Sequence, residues 1–252
     1  MSEHGPYERS LGSTWWDPNA PHPRVRFEAI STAWAWFNAA PGTWIVASIA
    51  VLVANGVLHG AVETLAGSRL PRAGGGFHLT VPPSGRLVEF LLSSVVNGFF
   101  LGGMFRMACL QLRGRTIQVS DLFSVTDVLH ELLIGTILVG LILFAATMAF
   151  VLPAFVAAGA LMFVMPLIVD ARLRATDAIR LSWDTLKGQL FQATVFHLLV
   201  NLLAGLGACL CVVGLVVTMP LYCLAVSVLY RDFFLTKPAP IQEKPLATDP
   251  DF

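Results

Sequence analysis

Two asparagine–histidine pairs, Asn55 with His59 and His197 with Asn201, each sit four residues apart inside stretches that are otherwise apolar. Four residues make about one helical turn, so each pair shares a helix face. Asn97 lies near the centre of a third apolar stretch. Two readings follow for this intramembrane polar set. The side chains could hydrogen-bond across helices as packing glue, at about 0.6–2 kcal/mol each, or line a polar path or ligand site at mid-depth. Asn55, Asn97 and Asn201 are expected at similar depth, where they could meet. Amides do not titrate near neutral pH, so three of them make a poor proton relay. The histidines do titrate there, but two alone, expected near opposite membrane faces, do not make a metal site. A second set is charged: Arg106, two turns inside its apolar stretch, and Asp170, Arg231 and Asp232 near apolar ends. Arg106 is expected either to snorkel to the headgroups or to form an internal ion pair, for example with Asp170 or Asp232.

Other chemistry has no signature here. Cys109, Cys209, Cys211 and Cys223 form no CxxC pair and no zinc spacing, and read as small buried hydrophobes. Neither a G-x-S-x-G elbow, an H-E-x-x-H helix, a phosphate-binding glycine loop nor a dinucleotide fingerprint occurs. The expectation is a protein that is not an enzyme and carries no cofactor and no metal. The formal net charge is zero, which argues against a nucleic-acid partner, because that requires a basic face.

These residues need a frame of membrane helices to position them. Hydrophobic residues make up 56% of the chain and charged residues 13%, about half the usual charged share of a soluble domain; the mean hydropathy is +0.71. From Phe191 to Tyr230 there are forty residues without one Asp, Glu, Lys or Arg. A hydrocarbon layer takes about 20 helical residues to cross, so this run is two spans joined by a tight turn. The same reading along the chain predicts six spans, at roughly 44–62, 87–110, 131–152, 154–169, 190–208 and 211–230. Spans three and four should turn at Pro153, and spans five and six between Gly207 and Cys211. The fold class is therefore all-α, a polytopic membrane helical bundle. Residues 1–23 and 235–252 are expected to be disordered cytoplasmic tails flanking a membrane domain over 24–234. The first 43 residues lack a secretory signal's apolar core, so the first span is expected to serve as an uncleaved insertion signal.

Basic residues orient the bundle. With the N-terminus in the cytoplasm, thirteen of the sixteen Lys and Arg residues fall on that side, and Arg69, Arg72 and Arg86 on the other. By the positive-inside rule both termini are cytoplasmic. Segments Phe27–Asn38, Ser120–Glu131 and Thr176–Lys187 each precede an outgoing span and read as amphipathic helices at the interface, with Ser120 and Thr176 as N-caps and Trp34, Trp36 and Trp183 at headgroup level. Met-Pro-Leu recurs at 165–167 and 219–221. Together these suggest one unit, an interfacial helix plus a hairpin, used three times. Gly56-x-x-x-Gly60 and Gly98-x-x-x-Gly102 permit close helix approach.

Several short stretches carry a resemblance: F-E-A-I at 27–30, G-G-M-F-R-M-A at 102–108, R-G at 113–114, S-D-L-F at 120–123, M-P-L-I-V-D at 165–170, A-I-R-L-S-W at 178–183, K-G at 187–188, M-P-L-Y at 219–222 and L-Y-R-D-F-F at 229–234. Through these the chain resembles a family of bacterial six-span membrane proteins of uncharacterised activity. That family is distantly similar to the membrane domain beside some glycerophosphoryl diester phosphodiesterases. The resemblance brings no established active residues. It implies no catalysis, since these residues do not include the phosphodiesterases' soluble barrel. The expected function is a non-enzymatic scaffold or accessory subunit of the bacterial inner membrane. Its expected partners are the lipid bilayer and other membrane proteins or further copies of itself. The alternative is a small transporter or channel component, or a lipid-handling protein.

Overall fold

Prolines mark the helix starts. Pro41 and Pro83 open two helices, and Pro153 and Pro166 lie in the first turn of two more. A first-turn N–H has no acceptor within its helix, so proline's missing donor costs nothing there. The computed structural model describes residues 24–65, 83–209 and 211–235, with side chains left undescribed at 59, 62–65, 83–94, 151, 207–209 and 211–213. Its helices are α1 (Glu28–Ala39), α2 (Pro41–Leu65), α3 (Pro83–Leu112), α4 (Leu129–Ala149), α5 (Val151–Ala160), α6 (Val164–Val169), α7 (Ala175–Leu186), α8 (Leu190–Cys209) and α9 (Cys211–Phe234). There is no strand among the described residues. Six helical stretches are long and apolar enough to cross a membrane, the fourth made of α5 and α6 in line. The chain is an all-α, multi-pass membrane protein. The expected terminal tails, Leu235 apart, lie outside the described residues, as do residues 66–82 between the first two spans.

Burial divides the spans into two rings. The most apolar stretches of α2, α4 and α8 have only 11–22% of their residues buried, whereas those of α3, α5–α6 and α9 each have 56%. The inner three fill the axis with Met104, Phe105, Met107, Phe163, Leu224 and Tyr230. The outer three turn Val53, Val57, Phe144, Met148, Leu202 and Leu206 outward, as a lipid-facing surface requires.

The packing order closes a circle. Residues 24–112, 119–169 and 175–234 form three units, each an interfacial segment, an outer span and an inner span. The inner span of each unit packs on the interfacial segment of the next: α3 on the turn at Val119–Phe123, α6 on α7, and α9 back on α1. Each inner span also packs on the next outer span: α3 on α4, α5 on α8, and α9 on α2. Glycines allow the closest approaches. A Cβ on Gly159 of α5 would lie 2.8 Å from the Thr194 backbone of α8, and one on Gly98 of α3 would lie 2.6 Å from Thr136 Oγ1 of α4. Gly56 of α2 meets nothing within 4 Å, so it makes no such approach.

Four local expectations need correction. The hairpin between spans three and four turns at Phe150, which is extended (φ −174°, ψ 155°), and Pro153 sits past the turn inside α5. The second interfacial segment is no α-helix but two 3-10 turns, Val119–Phe123 and Thr126–Val128. There Asp121 Oδ2 accepts the Gln118 N–H at 2.8 Å and Ser124 Oγ donates to the Asp121 carbonyl at 2.7 Å. Such local side-chain bonds compete with helical ones. Neither Ser120 nor Thr176 caps a helix. The first N–H of α7, on Ala175, is instead held at 2.8 Å by Glu131 Oε2, which reaches over from α4. Finally, span four is broken at Leu161–Phe163. The fully buried Ser182 of α7 closes that break, donating to the Ala160 carbonyl at 2.7 Å and accepting from the Phe163 N–H at 3.3 Å.

Candidate functional site

The intramembrane amides mostly serve their own helices. Asn55 Nδ2 donates to the Val51 carbonyl at 3.0 Å, and Asn201 Nδ2 to the His197 carbonyl at 2.8 Å. Both are i to i−4 bonds, which a short amide side chain reaches without help from a neighbour. Asn97 is exposed on α3, and the His59 side chain lies outside the described residues. The three asparagines make no hydrogen bond to one another among the described residues. Among the described residues only His197 and Asn201 come together, one turn apart on α8, in the wall of a cavity of about 350 Å³ bounded by α4 and α5. His197 Nδ1 is buried there without a hydrogen-bond partner.

At the other end of the spans, charge is concentrated and paired. The ends of α3, α6 and α9 converge there with the start of the described chain. The Asp170 carboxylate, whose side chain is 8% exposed, receives Arg113 of the α3 end at 2.7 Å and the Tyr230 hydroxyl of α9 at 3.0 Å. One acid thus joins all three units. Asp127 binds Arg172 at 2.6 Å and lies 3.9 Å from Arg106. Arg106 also donates to the Val169 carbonyl at 2.6 Å, satisfying the open end of α6. Asp232 holds Arg26 and, at 3.4 Å, its neighbour Arg231. The Asp232 hydrogen bond and then its charge raise the Arg26 guanidinium above its ordinary pKa. Of the alternatives for Arg106, an internal ion pair forms, but with Asp127 rather than Asp170 or Asp232. Asp170, Arg231 and Asp232 belong to the neighbouring pairs.

Beside this layer lies a neutral one. Gln111, almost fully buried, accepts from Trp44 Nε1 at 2.9 Å and donates to the Trp36 carbonyl at 2.8 Å. It thereby fixes the corner between α1 and α2 against α3. Cys109 Sγ lies 4.0 Å from Ser227 Oγ across the α3–α9 contact. The four buried polar residues, Ser48, Gln111, Ser182 and Ser227, all lie in this half of the bundle. No polar row continues along the axis to the other half among the described residues. Sequence reading missed Asp127, Arg172, Gln111 and Ser182. Their only advance signal was polarity beside a span end, which most interfacial residues share.

Among the described residues no group of three His, Cys, Asp or Glu side chains is placed to hold a metal ion. Compared with known protein families, curated proteins and solved structures, the chain matches none.

Proposed function

We propose that this chain is a non-enzymatic scaffold or accessory subunit of the bacterial inner membrane, with both termini in the cytoplasm, and that it belongs with the six-span bacterial proteins it resembles. The observation that supports it best is the filled axis. Phe105, Phe163, Met104, Met107 and Tyr230 are each no more than 1% exposed and occupy the space a pore would need. Asp170 and Asp232 at the charged end are engaged by Arg113 and Arg26, far from them in sequence, which suits a rigid body more than a gated one. The outer spans offer broad apolar faces on three sides, surface enough for lipids and for other membrane proteins. The orientation rests on the thirteen Lys and Arg residues that the order of spans assigns to one side, against three on the other.

Native mass spectrometry of the full chain in lipid nanodiscs tests this reading. The expected result is a stoichiometric second protein or a defined oligomer. A bare monomer overturns it. A flux assay in proteoliposomes supplies the second arm, with Asn55, Asn97 and Asn201 each changed to Leu. The scaffold reading expects no solute flux in the parent protein, with the variants altering only stability or association. Flux that the three substitutions abolish would move transport to the front.

A further inference from the structure

A groove opens sideways between α4, α5 and α8. Its volume is about 350 Å³, at the lower end of the range for small-molecule sites, about 300–1,000 Å³. Behind it a second cavity of about 130 Å³ reaches Phe105 of α3 and Tyr222 of α9. Leu143, Ala158 and His197 line both, so one bent space leads from the lipid-facing surface into the bundle. It stops inside, against the packed inner spans.

The chemistry of its walls narrows the occupant. No Asp, Glu, Lys or Arg lines either cavity, so a charged headgroup would find no counterion, and the occupant is neutral. Entry is from hydrocarbon between helices, so it is long-chained. His197 Nδ1 is buried and unpartnered, a costly state at membrane depth, while its ring stands edge-on to Tyr222 at 6.0 Å. One turn along, Asn201 has committed its amide N–H to the His197 carbonyl, which leaves Oδ1 as an acceptor. A hydroxyl suits both residues, since it donates to Asn201 Oδ1 while its oxygen accepts from an N–H of the His197 imidazole at the cavity wall. A ketone or ester carbonyl only accepts, and would leave Asn201 unmatched.

We infer that this groove and cavity bind a long-chain neutral lipid alcohol, its hydroxyl on His197 and Asn201 and its chain along α4, α5 and α8. The inference stands whether or not the scaffold reading does.

The test is photolabelling of the full chain in phosphatidylethanolamine–phosphatidylglycerol nanodiscs with a diazirine- and alkyne-bearing octadecanol, with adducts mapped by peptide mass spectrometry. The expected result is adducts concentrated in residues 143–158 and 197–201, competed by plain octadecanol. His197→Phe keeps the ring and its edge contact but deletes both nitrogens, and Asn201→Leu changes a lipid-exposed side chain. Each should lower labelling about fivefold, the worth of one hydrogen bond. Should His197→Phe unfold the protein, Asn201→Leu carries the test. Labelling spread evenly over the outer helices would overturn the inference. So would labelling unchanged in Asn201→Leu, or equal labelling by the matching octadecyl methyl ether, which lacks the hydroxyl donor.

Discussion

Ser182→Ala removes one oxygen and orphans two backbone groups at once. The hydroxyl closes the break in span four by serving the Ala160 carbonyl at 2.7 Å and the Phe163 N–H at 3.3 Å. Both serve a site where Ser182 is fully buried, and no other bond to the Phe163 N–H is found. An unsatisfied buried group costs about 1–3 kcal/mol. The long Phe163 bond belongs at the low end, and an unfolded chain in micelles finds substitute partners, which softens such losses. The expected loss is therefore about 2–4 kcal/mol, or roughly 30- to 1,000-fold in the unfolding constant. Reversible unfolding in mixed detergent micelles, followed through the fluorescence of the neighbouring Trp183, measures it. Ser182→Thr retains the hydroxyl and should recover most of the loss. Thr185→Ala is the control: its hydroxyl bonds only the Leu181 carbonyl of its own helix, and its loss should stay below about 0.5 kcal/mol. If Ser182→Ala costs no more than Thr185→Ala, the hydroxyl does not hold the broken span and the reasoning fails.

The same unfolding assay checks three further expectations. Gly159→Ala forces a methyl to within 2.8 Å of the Thr194 backbone and should cost about 1–3 kcal/mol, whereas Gly140→Ala, with nothing within 4 Å, should be neutral or gain up to about 1 kcal/mol from helix propensity. Asp170→Asn weakens two bonds to one nearly buried carboxylate and should lose about 1–3 kcal/mol; combined with Arg113→Gln it should lose clearly less than the sum, and strict additivity would refute the pairing. Arg172 has a left-handed backbone at φ 55°, so Arg172→Gly relieves about 1 kcal/mol of strain while losing an exposed ion pair worth about 0.2–1 kcal/mol. The net change should stay within about 1 kcal/mol, and a loss above about 2 kcal/mol would show Asp127 to be a stronger clasp than its exposure suggests.

What the sequence disclosed is what depends on local pattern. Charge-free runs and proline placement locate the spans, because crossing hydrocarbon is a per-segment requirement. The matching of Glu28-Ala29-Ile30 with Asp177-Ala178-Ile179 anticipates two real helices, with Trp34 and Trp183 exposed at corresponding positions. The middle segment has the same opening, but Asp121 and Ser124 spend their side chains on nearby backbone and turn it into 3-10 structure. The candidate sites were less legible. Spacing placed Asn201 and His197 on one face correctly, yet whether an amide reaches across or back along its own helix depends on the neighbour's distance. The clasps Arg113–Asp170 and Arg26–Asp232 join residues 57 and 206 positions apart, and only the three-dimensional ring brings them together.

That ring also sets a schedule for the growing chain. Helix α1 is made before α9, the helix that covers it. Arg26 waits for Asp232, and the Val25 N–H for Gln189 Oε1 at 3.0 Å. During synthesis α1 therefore meets the membrane with the face that α9 covers still open, and it stays open for some two hundred residues. Domains commonly complete themselves in order of emergence; here the earliest of the three units is closed by the latest, and until then the face of α1 that α9 covers has only the bilayer surface for shelter.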